Sequence, residues 1–314
     1  MDGLSGEFAF VGDLCLVGHI FARVNLPAST SHTLRLRPVA KINLGLEVLR
    51  RRADGYHDIN SIFVAIDLHD ELEIAPSDSI EFTCEPNVTA DVESNLVVRA
   101  ARALLDPISR GAKIRLRKHI PTGAGLGGGS SDAAATLVGL RRLYDLTVSD
   151  NDLAAIAAGL GSDVPFFLSH GQALIGGRGD IVQPVTIDVP WTFGLVIPDI
   201  HVNTAAAYST LGITGEQHGN NLVDIIRRGV DNQEVMRSSL INDFERSVFT
   251  QHPVLQAIKT HLLDAGATYA AMSGSGSTIF GLFTSVESAT IALRPLSKHR
   301  TYICHAVSTS FVFP

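Results

Sequence analysis

Between residues 33 and 73 apolar side chains recur at every second position: Leu34 and Leu36, then Ile42, Leu44, Leu46 and Val48, then Ile62, Val64, Ile66 and Leu68. Successive side chains of a strand point to opposite faces, so this spacing predicts half-buried β-strands. The interruption, Ala53-Asp54-Gly55-Tyr56-His57, holds an Asp-Gly pair and reads as a turn or short loop. Another short strand is predicted over 80–84, an Ala-, Leu- and Arg-rich helix over 95–105, and a strand over 113–120, where charged and aliphatic residues alternate. An Ala-rich helix over about 132–143 follows a glycine-rich loop. Ser149 then caps a further helix, with Asp152 completing something close to a capping box. Residues 161–168 read as a turn and short helix.

The second half alternates elements: a strand over 192–197, helices over 204–211, 222–228, 242–249 and 253–265, and strands over 269–273 and 278–283 on either side of Gly274-Ser275-Gly276. A helix over 286–296 and a strand over 302–307 follow. Strands that cluster early and then alternate with helices predict an α+β fold rather than a doubly wound sheet. Glycine and proline accumulate over 176–191, the expected seam between two domains. A chain of 314 residues, 45% hydrophobic, is long enough for two cores. The division expected is an extension over 1–32, an N-terminal domain over 33–185 and a C-terminal domain over 186–314.

Charge and cysteine usage narrow the classes of function. The net charge is −7, which offers no basic face for nucleic acid; Arg50-Arg51-Arg52 reads as a solvated strand end. No apolar run reaches the length of a membrane span. Cys15, Cys84 and Cys304 have no metal-ligand or disulfide spacing, and this predicts a reducing, cytoplasmic setting. Asp2, Glu7 and Asp13 stand where a targeting peptide would carry positive charge, so the extension is expected to hold no address and no chemistry.

The chemistry concentrates in Pro121-Thr122-Gly123-Ala124-Gly125-Leu126-Gly127-Gly128-Gly129-Ser130-Ser131-Asp132. Glycines let backbone N–H groups converge on an anion without Cβ atoms in the way. The helix start behind them adds unpaired donors and the positive end of a macrodipole. A polyphosphate is the expected occupant; a flexible linker is the bland alternative, left little room by the strand before and the helix after. Gly123-x-Gly125-x-x-Gly128 satisfies the dinucleotide fingerprint, but the preceding strand is charged, and Asp145 follows a helix instead of ending a second buried strand. No lysine follows the glycines, as a Walker loop requires, and no His-Arg-Asp or Asp-Phe-Gly is present.

The run Pro-x-Gly-x-Gly-Leu-Gly-Gly-Gly-Ser-Ser-Asp-Ala-Ala resembles the ATP loop of the GHMP kinases, the superfamily of galactokinase, homoserine kinase, mevalonate kinase and phosphomevalonate kinase. Ala40-Lys41-Ile42-Asn43-Leu44-Gly45-Leu46, Arg52-Ala53-Asp54-Gly55-Tyr56-His57 and Gly161-Ser162-Asp163-Val164-Pro165-Phe166-Phe167 narrow the resemblance to the 4-diphosphocytidyl-2-C-methyl-D-erythritol kinase family of the non-mevalonate isoprenoid pathway. Met272-Ser273-Gly274-Ser275-Gly276-Ser277 is similar to the superfamily's third motif. These motifs stand in the family's order, and the resemblance runs from about Leu34 to the C-terminus.

On residues alone, Asp163 reads as a cap for the short helix beginning near Val164 before it reads as a base. Tyr56 and His57 read first as turn residues. Lys41, between Ala40 and Ile42, is either an edge lysine that snorkels or an inward cation needing a carboxylate partner such as Asp163. The resemblance implies more. It implies a ribosomal-S5-domain-2-like N-terminal domain, a ferredoxin-like C-terminal domain and an active site in the cleft between them. It implies Asp163 as general base, Lys41 orienting the acceptor hydroxyl, Asn43 bonding substrate, Tyr56 stacked on a cytosine and His57 on its edge. A second stacking face falls to the 202–208 region with Thr204 and Tyr208, where the family commonly shows another aromatic. Asn95 and Lys118 match positions on the adenine side; Gly274, Ser275 and Gly276 match positions that meet the substrate diphosphate or support the phosphate loop. ATP with Mg2+ and a small cytidyl diphosphate substrate are the implied ligands, and no carboxylate set stands out as metal ligands. Another GHMP kinase of homoserine or mevalonate type, or a catalytically silent metabolite sensor of this fold, are the rival readings; the aromatic loop argues against the first, the pairing of Lys41 with Asp163 against the second.

Overall fold

The computed structural model of the chain describes residues 33–312 other than Ala90 and Thr214; the extension expected over 1–32 lies outside them. The early alternation becomes β1 (Leu34–Arg51), β2 (His57–His69) and β3 (Glu71–Ser77), followed by β4 (Ile80–Glu85) and β5 (Gly111–Arg117). A hairpin that no strong alternation announced, β6 (Gln172–Gly176) and β7 (Ile181–Pro184), extends the sheet to the order β4-β5-β3-β1-β2-β6-β7. All its neighbours are antiparallel except β4 and β5. A four-stranded antiparallel sheet, β11-β8-β10-β9, is built from β8 (Thr192–Ile197), β9 (Tyr269–Met272), β10 (Ile279–Phe283) and β11 (Arg300–His305). The short β12 (Phe311–Val312) returns to pair with β1 in the large sheet.

Helices α1 (Leu96–Leu105), α2 (Gly128–Leu143) and α3 (Asp150–Leu160) precede β6. After β8 come α4 (Thr204–Ser209), α5 (Leu222–Asp231), α6 (Gln233–Ser239), α7 (Phe244–Gln251) and α8 (Pro253–Asp264); α9 (Val286–Leu293) lies between β10 and β11. Ser149 caps α3 as expected, its hydroxyl accepting from the Asp152 amide at 3.1 Å. Among the described residues no helix is long and apolar enough to cross a membrane.

β1 departs from a single alternating face. Its register against β2 shifts between Val39 and Ala40 and again between Leu44 and Leu46, where Gly45 takes a φ of +81°. The second shift inserts one residue, Gly45, into β1 and reverses its phase. Ala40, Ile42 and Leu44 therefore pack with Phe193, Leu195, Phe280 and Leu282 of the small sheet. Leu46 and Val48 fall instead with Leu36, Phe63 and the helices α1 to α3. Alternate residues of the small sheet, among them Ala270, Ile279 and Phe283, pack with Leu255, Ile258 and Leu262 of α8. The order of layers is helix, sheet, sheet, helix, an α+β arrangement with both central layers apolar on both faces.

Phe280 is fully buried in the layer that joins the sheets, its ring 6.2 Å from Phe193 and 6.1 Å from Tyr269. Phe280→Ala is expected to cost about 3–5 kcal/mol, seen as a lower midpoint of urea unfolding.

Candidate active site

The glycine loop is held by its carbonyls. The Ala124 carbonyl accepts from the Thr278 amide at 3.2 Å and hydroxyl at 2.6 Å, that of Gly125 from the Ser273 hydroxyl at 2.9 Å, and that of Leu126 from the Lys41 amide at 2.9 Å. The amides of the same stretch face the other way. From Gly125 to Ser130, no backbone N–H donates to another group among the described residues. α2 opens at Gly128 rather than at about Asp132, so the last glycines form its first turn. Those N–H groups have no partner one turn earlier, and they carry the positive end of the helix dipole. Gly125, with φ +79°, admits no side chain: a Cβ there would stand 2.1 Å from the Ser273 carbonyl oxygen.

Lys41 and Asn43 lie two residues apart on β1 and share the face opposite Ile42. Lys41 is 3% exposed, and a buried ammonium is costly unless paired. Its Nζ donates to Asn43 Oδ1 at 2.7 Å, lies 3.4 Å from Asp163 Oδ2 and stands 4.2 Å over the Phe63 ring. Asp163 leaves the cap of the following turn, Pro165–Leu168, to the Val164 backbone, so its carboxylate, one-third exposed, is free to face the cavity. Asn43 Nδ2 donates to Ser61 Oγ at 3.0 Å. Expected to bond substrate, Asn43 is engaged with Lys41 and Ser61.

A cavity of about 1070 Å³ joins these parts. Gly123, Gly125 and Gly127 line it together with Lys41, Asn43 and Asp163, with Tyr56 and His57, and with Thr204, Tyr208, Gly274, Ser275 and Gly276. Thr204 and Ser275 join hydroxyls at 2.8 Å. Tyr56 is 54% exposed. Tyr208, expected as a second face for a base, stacks on His57 with ring centres 4.8 Å apart and meets Phe244 edge-on at 4.8 Å. Burial pushes the Tyr208 hydroxyl up to about 12, with Asp163 adding to the shift. Burial first, and then Arg51, holds His57 below the usual histidine range, so its ring is neutral near pH 7. Sequence reasoning missed Arg51, Arg178 and His201 in the lining. It also missed Asn242, a buried residue of the described set, whose amide holds the carbonyls of Met272 at 2.7 Å and Gly274 at 2.8 Å. Only the third-motif resemblance pointed toward that wall.

The family model for the GHMP kinases N terminal domain matches residues 95–171, and that for GHMP kinases C terminal matches 225–300. A 4-diphosphocytidyl-2-C-methyl-D-erythritol kinase from Thermodesulfovibrio yellowstonii is 41% identical over 283 residues, 88% of this chain and 98% of that protein. One from Solibacter usitatus is 44% identical over 289 residues, 89% of this chain and 90% of that protein. The chain belongs to the 4-diphosphocytidyl-2-C-methyl-D-erythritol kinase family. A crystal structure of 4-(cytidine 5'-diphospho)-2C-methyl-D-erythritol kinase superposes at TM-score 0.74 with 32% identity, over 87% of this chain and 99% of that one. A homoserine kinase from Cytophaga hutchinsonii, 20% identical over 92% of this chain and 99% of its own, superposes at 0.70 and shares the fold. As a GHMP kinase of this family, the chain is an ATP-dependent small-molecule kinase.

Several residues expected at the nucleotide stand outside the cavity lining in this family member. Pro121 and Leu126 are buried members of the loop. Gly128, Gly129, Ser130 and Ser131 form the first turn of α2. Asn95 caps α1, accepting from the Val97 amide at 2.9 Å and donating to Thr89 at 2.8 Å. Lys118 is buried between Asp70 at 2.5 Å and Asp132 at 2.7 Å. Asp70 also accepts from the amides of His119 at 2.5 Å and Ile120 at 2.8 Å. That capture removes these donors from the ladder, so β5 ends at Arg117 and not near Ile120. One ammonium faces two buried carboxylates, and full burial pushes the Asp132 carboxyl up to about 8, with Lys118 opposing the rise and Asp70 adding to it. Ser131 Oγ and Asp132 Oδ1 are buried without a partner among the described residues.

Gly125→Ala is expected to displace the loop from Ser273 and weaken ATP binding by more than about tenfold, a strained left-handed alanine adding to the clash; titration with a fluorescent nucleotide checks this. Asp132 carries a pKa raised above its unfolded value of 3.8. Its contribution to stability is complete at acid pH and disappears as pH climbs through about 8. Asp132→Asn, always neutral, should show a shallower decline of the urea midpoint between about pH 5 and pH 8.5.

Proposed function

We propose that this chain transfers the γ-phosphate of ATP to the 2-hydroxyl of 4-diphosphocytidyl-2-C-methyl-D-erythritol, in isoprenoid synthesis. One juxtaposition supports the reading. The Lys41–Asp163 pair, 3.4 Å apart, opens into the same cavity as the glycine loop, whose amides have no protein partner. Phosphoryl transfer asks for positioning, charge neutralisation and one group to take a proton.

Asp163 takes the proton of the attacking hydroxyl. Lys41 holds that oxygen by its ammonium, favours its alkoxide character and is itself aimed by Asn43. The hydroxyl oxygen then bonds to the γ-phosphorus as the bond to the bridging oxygen breaks, and ADP leaves. Amides from Gly125 to Ser130 and the start of α2 hold the phosphate oxygens and meet the charge that spreads over them in the transition state. No group of three or more His, Cys, Asp or Glu converges on a metal among the described residues. Mg2+, when bound with the nucleotide, would supply charge neutralisation at its phosphates. Tyr56 stacks on the cytosine and His57, neutral in this setting, offers a ring nitrogen to its edge.

Purified protein given ATP, Mg2+ and the cytidyl substrate should release ADP, and mevalonate or homoserine in its place should give none. Asp163→Asn should lower kcat by about 10²–10⁴-fold with KM for ATP little changed. Turnover on homoserine alone, or a near-normal Asp163→Asn rate, would defeat the proposal.

A further inference from the structure

The run Gly176-Gly177-Arg178-Gly179-Asp180 has no part in the proposed chemistry, yet its Arg178 and Gly179 line the cavity. Residues 177–180 form the turn from β6 to β7. The Gly177 carbonyl accepts from the Ile59 amide at 2.8 Å, two residues beyond His57. Gly179, with φ +103°, passes so close to Ser162 that a Cβ would stand 3.3 Å from the serine Cβ. One turn thus touches both the strand that begins at His57 and the residue before Asp163.

Arg178 projects from this turn. Its Nε donates to Asp180 Oδ2 at 2.8 Å, and its amide to Asp180 Oδ1 at 3.2 Å, which fixes the guanidinium plane. That plane stands 5.3 Å over the Tyr56 ring. Neither Nη group donates to a protein atom among the described residues, and Arg178 lines the cavity. Tyr56 has little other restraint: it sits on the hairpin turn, more than half exposed, and its hydrogen bonds are those of its backbone, to Arg52 at 2.8 Å and Asp54 at 3.1 Å.

We infer that Arg178 is a positioning residue for the nucleobase end of the acceptor, acting through Tyr56. The guanidinium covers one face of the ring by a cation–π contact and leaves the other for a flat base. A ring already held in place loses less freedom when the base stacks on it, so affinity for the acceptor rises without a new contact to it. The inference rests on the functional reading above, because it takes the ligand at Tyr56 to be a pyrimidine nucleotide.

Steady-state kinetics on the full chain tests it. Arg178→Met keeps the aliphatic stem and removes the cation. It should raise KM for the cytidyl substrate about fivefold, with kcat and KM for ATP within about twofold, and Arg178→Lys should recover part of the loss. In a Tyr56→Ala background the same Arg178→Met change should alter KM by less than about twofold. An unchanged KM, an equal rise in both backgrounds, or a fall in kcat with a raised KM for ATP would each overturn the inference. If the unaltered protein turns over the cytidyl substrate and Arg178→Met matches it, the inference fails alone; if the unaltered protein gives no turnover, the functional reading fails with it.

Discussion

The carbonyls from Ala124 to Leu126 are all taken by protein donors while the amides from Gly125 to Ser130 are not, and the rest of the site follows from that. Those carbonyls accept from Thr278, Ser273 and Lys41, so the amides that follow are left facing outward. A loop whose two polar sides were both satisfied internally would have nothing to offer an anion; a loop with neither satisfied would not hold its shape. The anchors come from β1 of the large sheet and from the connection between β9 and β10 of the small one. Lys41 serves twice, its amide fixing the loop and its ammonium facing Asp163. The distance from loop to reactive pair is therefore set by covalent geometry within one residue.

Keeping that ammonium buried is the main electrostatic demand of the fold. Asp163 answers the charge at 3.4 Å, Asn43 takes a direct hydrogen bond at 2.7 Å and the Phe63 face lies below. Asn43 is in turn tied to Ser61, whose hydroxyl donates to the Gly45 carbonyl at 2.7 Å. The bulge at Gly45 is thus built into the chain of bonds that aims Lys41. Without the phase shifts in β1, Lys41 and Asn43 could not share a face with Leu46 and Val48 while Ile42 and Leu44 pack into the other sheet.

Elements whose cause is local were readable from the residues. The alternation of β1 to β3, the Ser149 cap and the glycine-rich loop needed only neighbours along the chain. The extent of the regular face of β1 was not readable, because a bulge changes phase without changing composition. The early end of β5 depends on Asp70, distant in sequence, taking two amides that the alternation assigned to a strand. The apolar neighbours of Lys41 left it open between an edge lysine and an inward cation, and its bond to Asn43 was not legible, since both residues read as ligand contacts. Tyr208 was picked as an aromatic for the base; its stack on His57 arises from α4 meeting the hairpin turn, a contact between segments far apart in sequence. Arg178 sat in a run that composition could read only as a seam.

The fate of Lys118 explains why the loop must rely on amides. A Walker loop ends in a lysine that reaches the phosphates as a point charge. The lysine that precedes this loop is instead held between Asp70 and Asp132, buried and answered twice over. Its charge is used to fix the strand end and the first turn of α2, the two pieces that frame the loop. With that cation committed, the proposed reading leaves phosphate charge to oriented peptide dipoles, to the start of α2 and to Lys41 across the cavity. Dipoles of this kind cost no reorganisation and keep their alignment at any pH, whereas a mobile lysine would have to be ordered each time. The Asp70–Lys118–Asp132 cluster is then the rigid base beneath the glycine loop.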